Sequence, residues 1–256
     1  MARQLHGLPA MDQGLLIAAA GMRAQIETLE LLGNNLANTG TAGFKGDREF
    51  FRLFQTERIR PDPNTAEIRW MPVVQGSAID FEQGPLQRTE GPLDVALAGP
   101  GFLTVETASG SRLYTRNGAF HLSTTGRLET ADGHAVLDSG ESEITIPPGT
   151  EIQISERGML RAGGLNVAQL SVVTFEGRPL MKAGNSYFQA PEGTQTQPAP
   201  ETAVQQGYLE GSNVNVPLAA VQMIQTSRNF EMLSRIASLV ADEMNGRSVE
   251  QLGSLR

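Results

Sequence analysis

Apolar residues near the N-terminus recur at helical spacing. Leu15, Met22, Leu29 and Leu36 are seven apart, and Ala18 or Ala19, Ile26 and Leu32 fill the intervening turns. This stripe predicts a helix from Asp12 to Ala37, about 39 Å long at 1.5 Å per residue. It ends at Asn34, Asn35 and Asn38, followed by Gly40 and Gly43, residues suited to helix C-caps and left-handed turns. A second stripe lies at the opposite end of the chain. Met223, Phe230, Ala237 and Met244 form one row, and Ala219, Thr226, Leu233 and Val240 form the other. They predict a helix that starts near Pro217 and stops at Gly246. A long helix with so broad an apolar stripe is marginal alone and needs a partner. The two together predict a coiled coil of the termini.

Between them the pattern changes. Residues 40–84 show weak periodicity, a cluster of Phe44, Phe50, Phe51 and Phe54, and prolines that forbid a long helix. From Pro85 apolar and polar residues alternate, beginning with Leu93, Val95 and Leu97. Turns are expected at Ala108-Ser109-Gly110, Thr124-Thr125-Gly126 and Asp132-Gly133, and Asn117-Gly118 carries a type I′ hairpin signal. LNVAQLSVVTF is the longest β run, and residues 190–203 have the composition of a surface loop. The expected fold is a mainly β central domain with N- and C-terminal α-helices pairing as a coiled coil. Its parts are an N-terminal axial helix (1–39), an irregular connector with short strands (40–84) and an antiparallel β domain (85–190). A linker returning to the core (191–212) and a C-terminal axial helix (213–256) complete it.

Charge separates the same parts. The net charge is −8, yet residues 1–60 carry seven basic and six acidic groups and residues 213–256 four of each. Residues 61–212 hold nine basic and eighteen acidic groups. Nearly neutral, apolar-striped ends pack together without strong self-repulsion, while an acidic middle stays solvated. No basic patch supports nucleic-acid binding. The longest apolar run, Leu15 to Met22, is too short for membrane insertion. No basic region, apolar stretch and cleavage site of a classical signal peptide is visible. With no cysteine, thiolate catalysis and Cys-ligated zinc are excluded.

Candidate chemistry is sparse. His121 and His134 lie on adjacent β segments but lack a carboxylate motif for a metal. Gly99-Pro100-Gly101 lacks the third glycine, the lysine and the following helix of a phosphate loop. Asp94 faces away from the apolar side of its strand, and no serine sits in a GxSxG elbow. No catalytic, cofactor or metal site is expected. A binding module on a helical oligomerisation stalk, with Trp70 and Tyr114 as ligand platforms, is the alternative from another class.

Several segments carry a resemblance. NNLAN with TGTAGFK, then GPLDVALAGPGFLTV and YTRNGAFHLSTTGRLETADGHAVL, then GSNVN with MIQTSRNFE, resemble the bacterial flagellar rod and hook proteins in order along the chain. The tail EMNGRSVEQLGSLR and the short middle resemble proximal-rod members most, with distal-rod or hook-type members the near alternative. The resemblance implies a structural subunit of the basal-body rod, assembling through terminal helices into a tube that transmits torque. It implies as partners other rod subunits, proximal and distal, copies of the chain itself, and the flagellar type III export apparatus. Its place would be the periplasmic rod, reached without a cleaved signal peptide. The expected assembly contacts are Leu15, Met22, Leu29, Leu36, Met223, Phe230, Leu233 and Val240. Asn34, Asn35 and Asn38 join them, either as helix caps or, as the resemblance implies, as buried amides cross-linking neighbouring subunits.

Overall fold

The structure, a computed structural model, describes residues 10–56, 69–147, 149–176, 180–184 and 186–253. The chain opens with α1 (Ala10–Ala37), β1 (Asp47–Thr56), β2 (Arg69–Ile79), β3 (Leu86–Arg88), β4 (Val95–Ala98) and β5 (Phe102–Glu106). Next come β6 (Arg112–Thr115), β7 (Phe120–Leu122), β8 (Leu128–Thr130), β9 (Ala135–Val136), β10 (Ile152–Ile154) and β11 (Met159–Ala162). Then follow β12 (Leu165–Gln169), β13 (Val172–Phe175), β14 (Met181–Lys182), β15 (Tyr187–Gln189) and β16 (Thr196–Pro198). β17 (Ala203–Gln206), β18 (Tyr208–Glu210) and α2 (Val216–Gly253) complete it. The chain is mainly β with a helix towards each end.

It divides into two compact units. The first comprises residues 1–36, 47–78 and 216–256, and the second residues 37–46 and 79–215. In the first, α1 spans 28 residues and α2 spans 38, or about 42 and 57 Å at the helical rise. α2 runs past Gly246, where the sequence predicts a stop. One glycine inside a helix costs only about 1 kcal/mol, and Arg247, Glu250, Gln251 and Leu252 restore good helix formers. Met244, the last member of one predicted row, lies outside the residues whose side chains are described. β1 and β2 form a two-stranded sheet of 10 and 11 residues, where the sequence suggests only short strands. Pro72 lies within β2; a two-stranded ribbon has only edge strands, and an edge tolerates a residue with no N–H.

The second unit is built on β5. Its residues pair with β6 on one side, and with β13 and β9 on the other, all antiparallel. Successive side chains of a strand point to opposite faces, and here both faces are covered. Leu103 and Val105, with Leu113 of β6 and Tyr187 of β15, enter a large core that also holds Val95, Leu97, Leu128, Val136, Ile144, Ile146, Leu160 and Val204. Phe102, with Tyr114 of β6 and Phe188 of β15, enters a smaller one with Leu180. Phe102, Phe188 and Phe81 meet there edge-on at centroid distances of 5.4–5.5 Å. Burying each such side chain is worth about 1.5–3 kcal/mol. This double cover explains why FLTVE and RLYT lack a clean polar alternation.

Hairpins form where glycine follows the expected turns: the β5–β6 turn ends at Gly110, β7–β8 at Gly126 and β8–β9 at Gly133, all at positive φ. Two expectations are corrected. LNVAQLSVVTF is not one strand: β12 joins β10 and β11 in a separate three-stranded sheet, while β13 pairs with β5 and β16. The break falls at Leu170, which is buried in the large core, and Ser171, whose hydroxyl bonds Thr104. Asn117-Gly118 is not a type I′ hairpin. β6 pairs with β5 and β15, β7 pairs with β8, and neither Asn117 nor Gly118 has positive φ. Gly118 is required for space instead, because a Cβ there would overlap the Val95 carbonyl oxygen, the acceptor side of this crossing being occupied by the Val95 N–H bond to Gly118 O (3.0 Å). Tyr114, proposed above as a ligand platform, is buried against Phe175 at 4.7 Å between centroids. The Trp70 side chain lies outside the described residues.

Two predictions follow from these contacts. Gly118→Ala, a single methyl, is expected to destabilise the β unit by about 1–3 kcal/mol through overpacking, seen as a lower chemical-denaturation midpoint; an unchanged midpoint removes the close approach. Burial pushes Tyr114 and Tyr187 above the ordinary tyrosine value of 10, and Tyr187 is raised further by its 2.6 Å bond to Asp132. For an acid whose folded value is raised, the stabilisation is complete below pH 10 and is lost as pH climbs towards the folded value. Tyrosinate absorbance of these two residues should therefore lag that of a denatured chain above pH 10, with the stability they contribute falling over the same range.

Candidate assembly site and a buried charge cluster

The second unit takes residues 37–46, gives up the chain to β1 and β2 of the first, and takes it back over residues 79–215; within it, Gly43–Gly46 and Glu210–Asn213 lie together. Gly43 donates to the Glu210 carbonyl (2.7 Å), and Asn213 N–H reaches the Phe44 carbonyl (3.4 Å). Gly43 has φ 67°, and a Cβ there would overlap the Arg116–Asn117 backbone, so only glycine fits. Phe44 is buried, with the Lys182 ammonium 4.4 Å from its ring centre. Asn213 accepts from Gly46 N–H (2.8 Å) and donates to the carbonyls of Asp80 (2.8 Å) and Glu82 (3.1 Å). It thus ties three strands of chain with one amide.

A fully buried charge cluster sits at this crossing. The Lys45 ammonium pairs with Glu210 Oε1 and donates to the Glu82 carbonyl (2.7 Å). Gly84 N–H adds a second donor to the same carboxylate oxygen (3.0 Å). Arg116 Nη1 bonds Glu210 Oε2 (3.1 Å), its Nη2 bonds the Gly99 carbonyl (2.9 Å), and its guanidinium lies 5.2 Å from the Phe102 ring centre. Glu210 and the Lys45 side chain are 0% exposed. Burial pushes both cations below their ordinary values, against the pull of Glu210. Breaking such a pair by removing one partner leaves an uncompensated buried charge, at a typical cost of about 3–5 kcal/mol.

The two helices carry the residues expected to make assembly contacts. On α2, Ala219 and Thr226 are buried, and Met223, Phe230, Leu233, Ala237 and Val240 are half-buried, so both predicted rows share the least exposed face. On α1 the deepest positions are Ala18, Ala24, Thr28, Leu32 and Asn35, while Leu15, Met22, Leu29 and Leu36 are half-buried beside them. The Leu233 side chain lies against Gly21: a Cβ there would stand 3.1 Å from Leu233 Cδ1. Thr28 turns its hydroxyl back to the Ala24 carbonyl (2.9 Å), which hides its polarity within the helix.

The three asparagines have separate places. Asn35 is buried and bonds Asp47 in both directions: Nδ2 to the carbonyl at 2.9 Å, and Oδ1 from the N–H at 3.0 Å. It therefore mimics one β-ladder pair between the end of α1 and the start of β1. Asn38 is buried beyond the helix end and accepts from the Thr41 hydroxyl (3.2 Å) and, through its carbonyl, from Thr41 N–H (3.2 Å). Asn34 is exposed. His134 packs edge-on against Tyr187, and His121 sits across from Glu129 in the β7–β8 hairpin, so the two imidazoles serve the sheet. Among the described residues no group of three or more His, Asp or Glu stands within reach of one metal ion. No helix among them is long and apolar enough to cross a membrane. Sequence reasoning missed Lys45, Arg116 and Glu210. Their signal was local and slight: Lys45 and Glu210 each precede a glycine, in GFKG and LEG, and Arg116 stands two before one, in RNG.

Comparison with known proteins gives this arrangement a setting. Residues 96–162 match the family described as the flagellar hook protein FlgE/F/G D1 domain, and residues 205–252 match the flagellar basal body rod FlgEFG protein C-terminal family. The chain is 37% identical to the flagellar basal-body rod protein FlgG of Agrobacterium fabrum, over 91% of this chain and 96% of that one. It is 33% identical to FlgF of Escherichia coli (94% and 99%) and 30% identical to FlgF of Caulobacter vibrioides (96% and 100%).

Asn35→Ala removes both hydrogen bonds to Asp47 and leaves that peptide unit without them. A loss of about 2 kcal/mol is expected, with amide exchange at Asp47 accelerated. Unchanged exchange there would separate Asn35 from the α1–β1 connection.

Proposed function

The chain belongs to the flagellar basal-body rod protein family and is a structural subunit of the rod, not an enzyme; from that premise we propose that its terminal helices pair as a coiled coil and pack against those of neighbouring subunits. It works at the basal body, in assembly with other rod and basal-body components. The proposed partners are proximal and distal rod subunits and further copies of the chain. The predicted contacts are Leu15, Met22, Leu29, Asn34, Asn35, Leu36 and Asn38 on the first side, and Met223, Phe230, Leu233 and Val240 on the second. Repeated head-to-tail contacts of this kind do not close, so they generate a helical tube. We further propose that the chain reaches the periplasmic rod through the flagellar type III export apparatus, without a cleaved signal peptide. Torque then passes through many small interfaces.

One observation carries this reading. α2 keeps a second apolar row, Val221, Met232, Ile236 and Leu239, exposed on the side away from its half-buried rows, and Leu239 is 68% exposed. Ile17 and Ile26 are exposed on α1. Helices with apolar residues on both sides suit a packed array rather than a solvated surface. The tail EMNGRSVEQLGSLR favours a proximal, FlgF-type position. Relatives of both kinds, FlgG at 37% and FlgF at 30–33% identity, match over more than nine-tenths of the chain.

Complementation tests both points. The unmodified chain should restore swimming to a strain lacking FlgF, and rescue of a strain lacking FlgG instead would assign it to the distal rod. Leu29→Asp and Leu233→Asp each set a charge in a helical seam, at a cost of several kcal/mol unless it is paired. Both variants are expected to keep the β unit folded but to fail to enter the rod and to abolish swimming, with export of each measured separately. Normal swimming by two exported variants would refute assembly through the helices.

A further inference from the structure

Lys45, Arg116 and Glu210 all lie in the second unit, outside both helices. Lys45 and Glu210 are 165 positions apart in sequence, yet they meet where the chain passes in and out of the β unit. Within 43–46 the only side chains are those of Phe44 and Lys45; Phe44 is buried, backbone bonds join Gly43, Phe44 and Gly46 to Glu210 and Asn213, and Lys45 supplies the one charge. Continuing through residues 38–42, this segment is the covalent extension of α1, and residues 211–215 lead from Glu210 to α2.

Apolar contact is non-directional and tolerates sliding. The Glu210 carboxylate does not. It takes Lys45 and Gly84 on one oxygen and Arg116 on the other, while its own carbonyl takes Gly43, so three separate pieces of chain are fixed to one residue. Charge-assisted hydrogen bonds of this kind are short and geometrically selective. The next acid, Asp80, is engaged by the Glu82 N–H (3.0 Å). Lys45 and Arg116 share the Glu210 carboxylate, with Asp80 also acting on Lys45, and departure of the outgoing segment would leave both cations buried without it.

We propose that Glu210, held between Lys45 and Arg116, is a clasp that fastens the incoming segment of the β unit to the outgoing one, so that a pull or twist along either terminal helix is delivered through both. The mechanical half of this proposal rests on the chain being a rod subunit; the clasp itself is a property of the isolated protein. The cluster is asymmetric, and this makes it testable. Lys45→Met keeps the unbranched apolar stem, one atom shorter, and leaves Arg116 and Glu210 as a neutral pair, so the β unit stays folded. Glu210→Gln leaves two cations without an anion and is the more damaging change.

The test is residue-resolved amide hydrogen exchange on the purified full-length protein. In Lys45→Met, the amides of Gly43 and Gly46 should exchange about tenfold faster or more, while those of Val105 and Leu128 in the β core keep their protection. Glu210→Gln should extend the acceleration to Gly84. Should Glu210→Gln unfold, Lys45→Met alone decides. Unchanged exchange at Gly43 and Gly46, or protection lost evenly through the core, would overturn the clasp. In cells, rods containing Lys45→Met should assemble, and swimming should fall more steeply than in the parent as the medium is made more viscous. Parent-like swimming at every viscosity, with the exchange result intact, overturns only the mechanical half. If the parent chain itself is absent from purified basal bodies, the functional reading fails while the exchange result stands.

Discussion

The carboxylate of Glu210 is the constraint around which the crossing is arranged. A buried anion must find donors, and this one finds them on Lys45, Gly84 and Arg116, which belong to parts of the chain that share no strand. Satisfying it obliges the incoming backbone to approach Arg116 and Asn117 so closely that position 43 must be glycine. It obliges Asn213 to sit where it bonds Gly46, Asp80 and Glu82 together. The glycines and the lone charges in these short motifs are therefore consequences of one electrostatic requirement.

Around this point the β unit is organised by parity along β5. Odd and even positions serve different cores, so one strand welds two apolar layers. Its three partners, β6, β9 and β13, account for the stability of the region better than any single hairpin does. The 3-stranded sheet of β10, β11 and β12 is different in kind. Leu165 of β12 is 75% exposed, and only Ile154, Leu160 and Ala162 anchor the sheet deeply.

Much of this was legible from residue patterns, for physical reasons that differ by element. The helices were legible because a seven-residue repeat survives any tertiary context, and the glycine-marked turns at 110, 126 and 133 because positive φ selects glycine. The end of α2 was not legible, since one glycine is too weak a breaker in a long helix. Asn117-Gly118 misled because its dipeptide matches a hairpin while its glycine answers to a carbonyl of β4 far away in sequence. The split between β12 and β13 was hidden because Leu170 looks like any strand residue until its burial is known. The site was half legible. Rows of apolar residues announce a face, but a buried ion cluster is assembled from residues up to 165 positions apart and leaves no local period.

The last strands of the β unit come late in the chain, with only α2 after them. β17 lies against β4, joining Gln206 to Val95, and β18 lies against β3, joining Glu210 to Leu86. Val204 is part of the main core, so that core is incomplete without them. Contacts this remote in sequence require long loops to close before they return any energy, which makes folding slow compared with that of a helical protein of equal size. A chain released from its N-terminus forward therefore cannot finish its β unit until about four-fifths of it has emerged, and the topology itself delays the compact state.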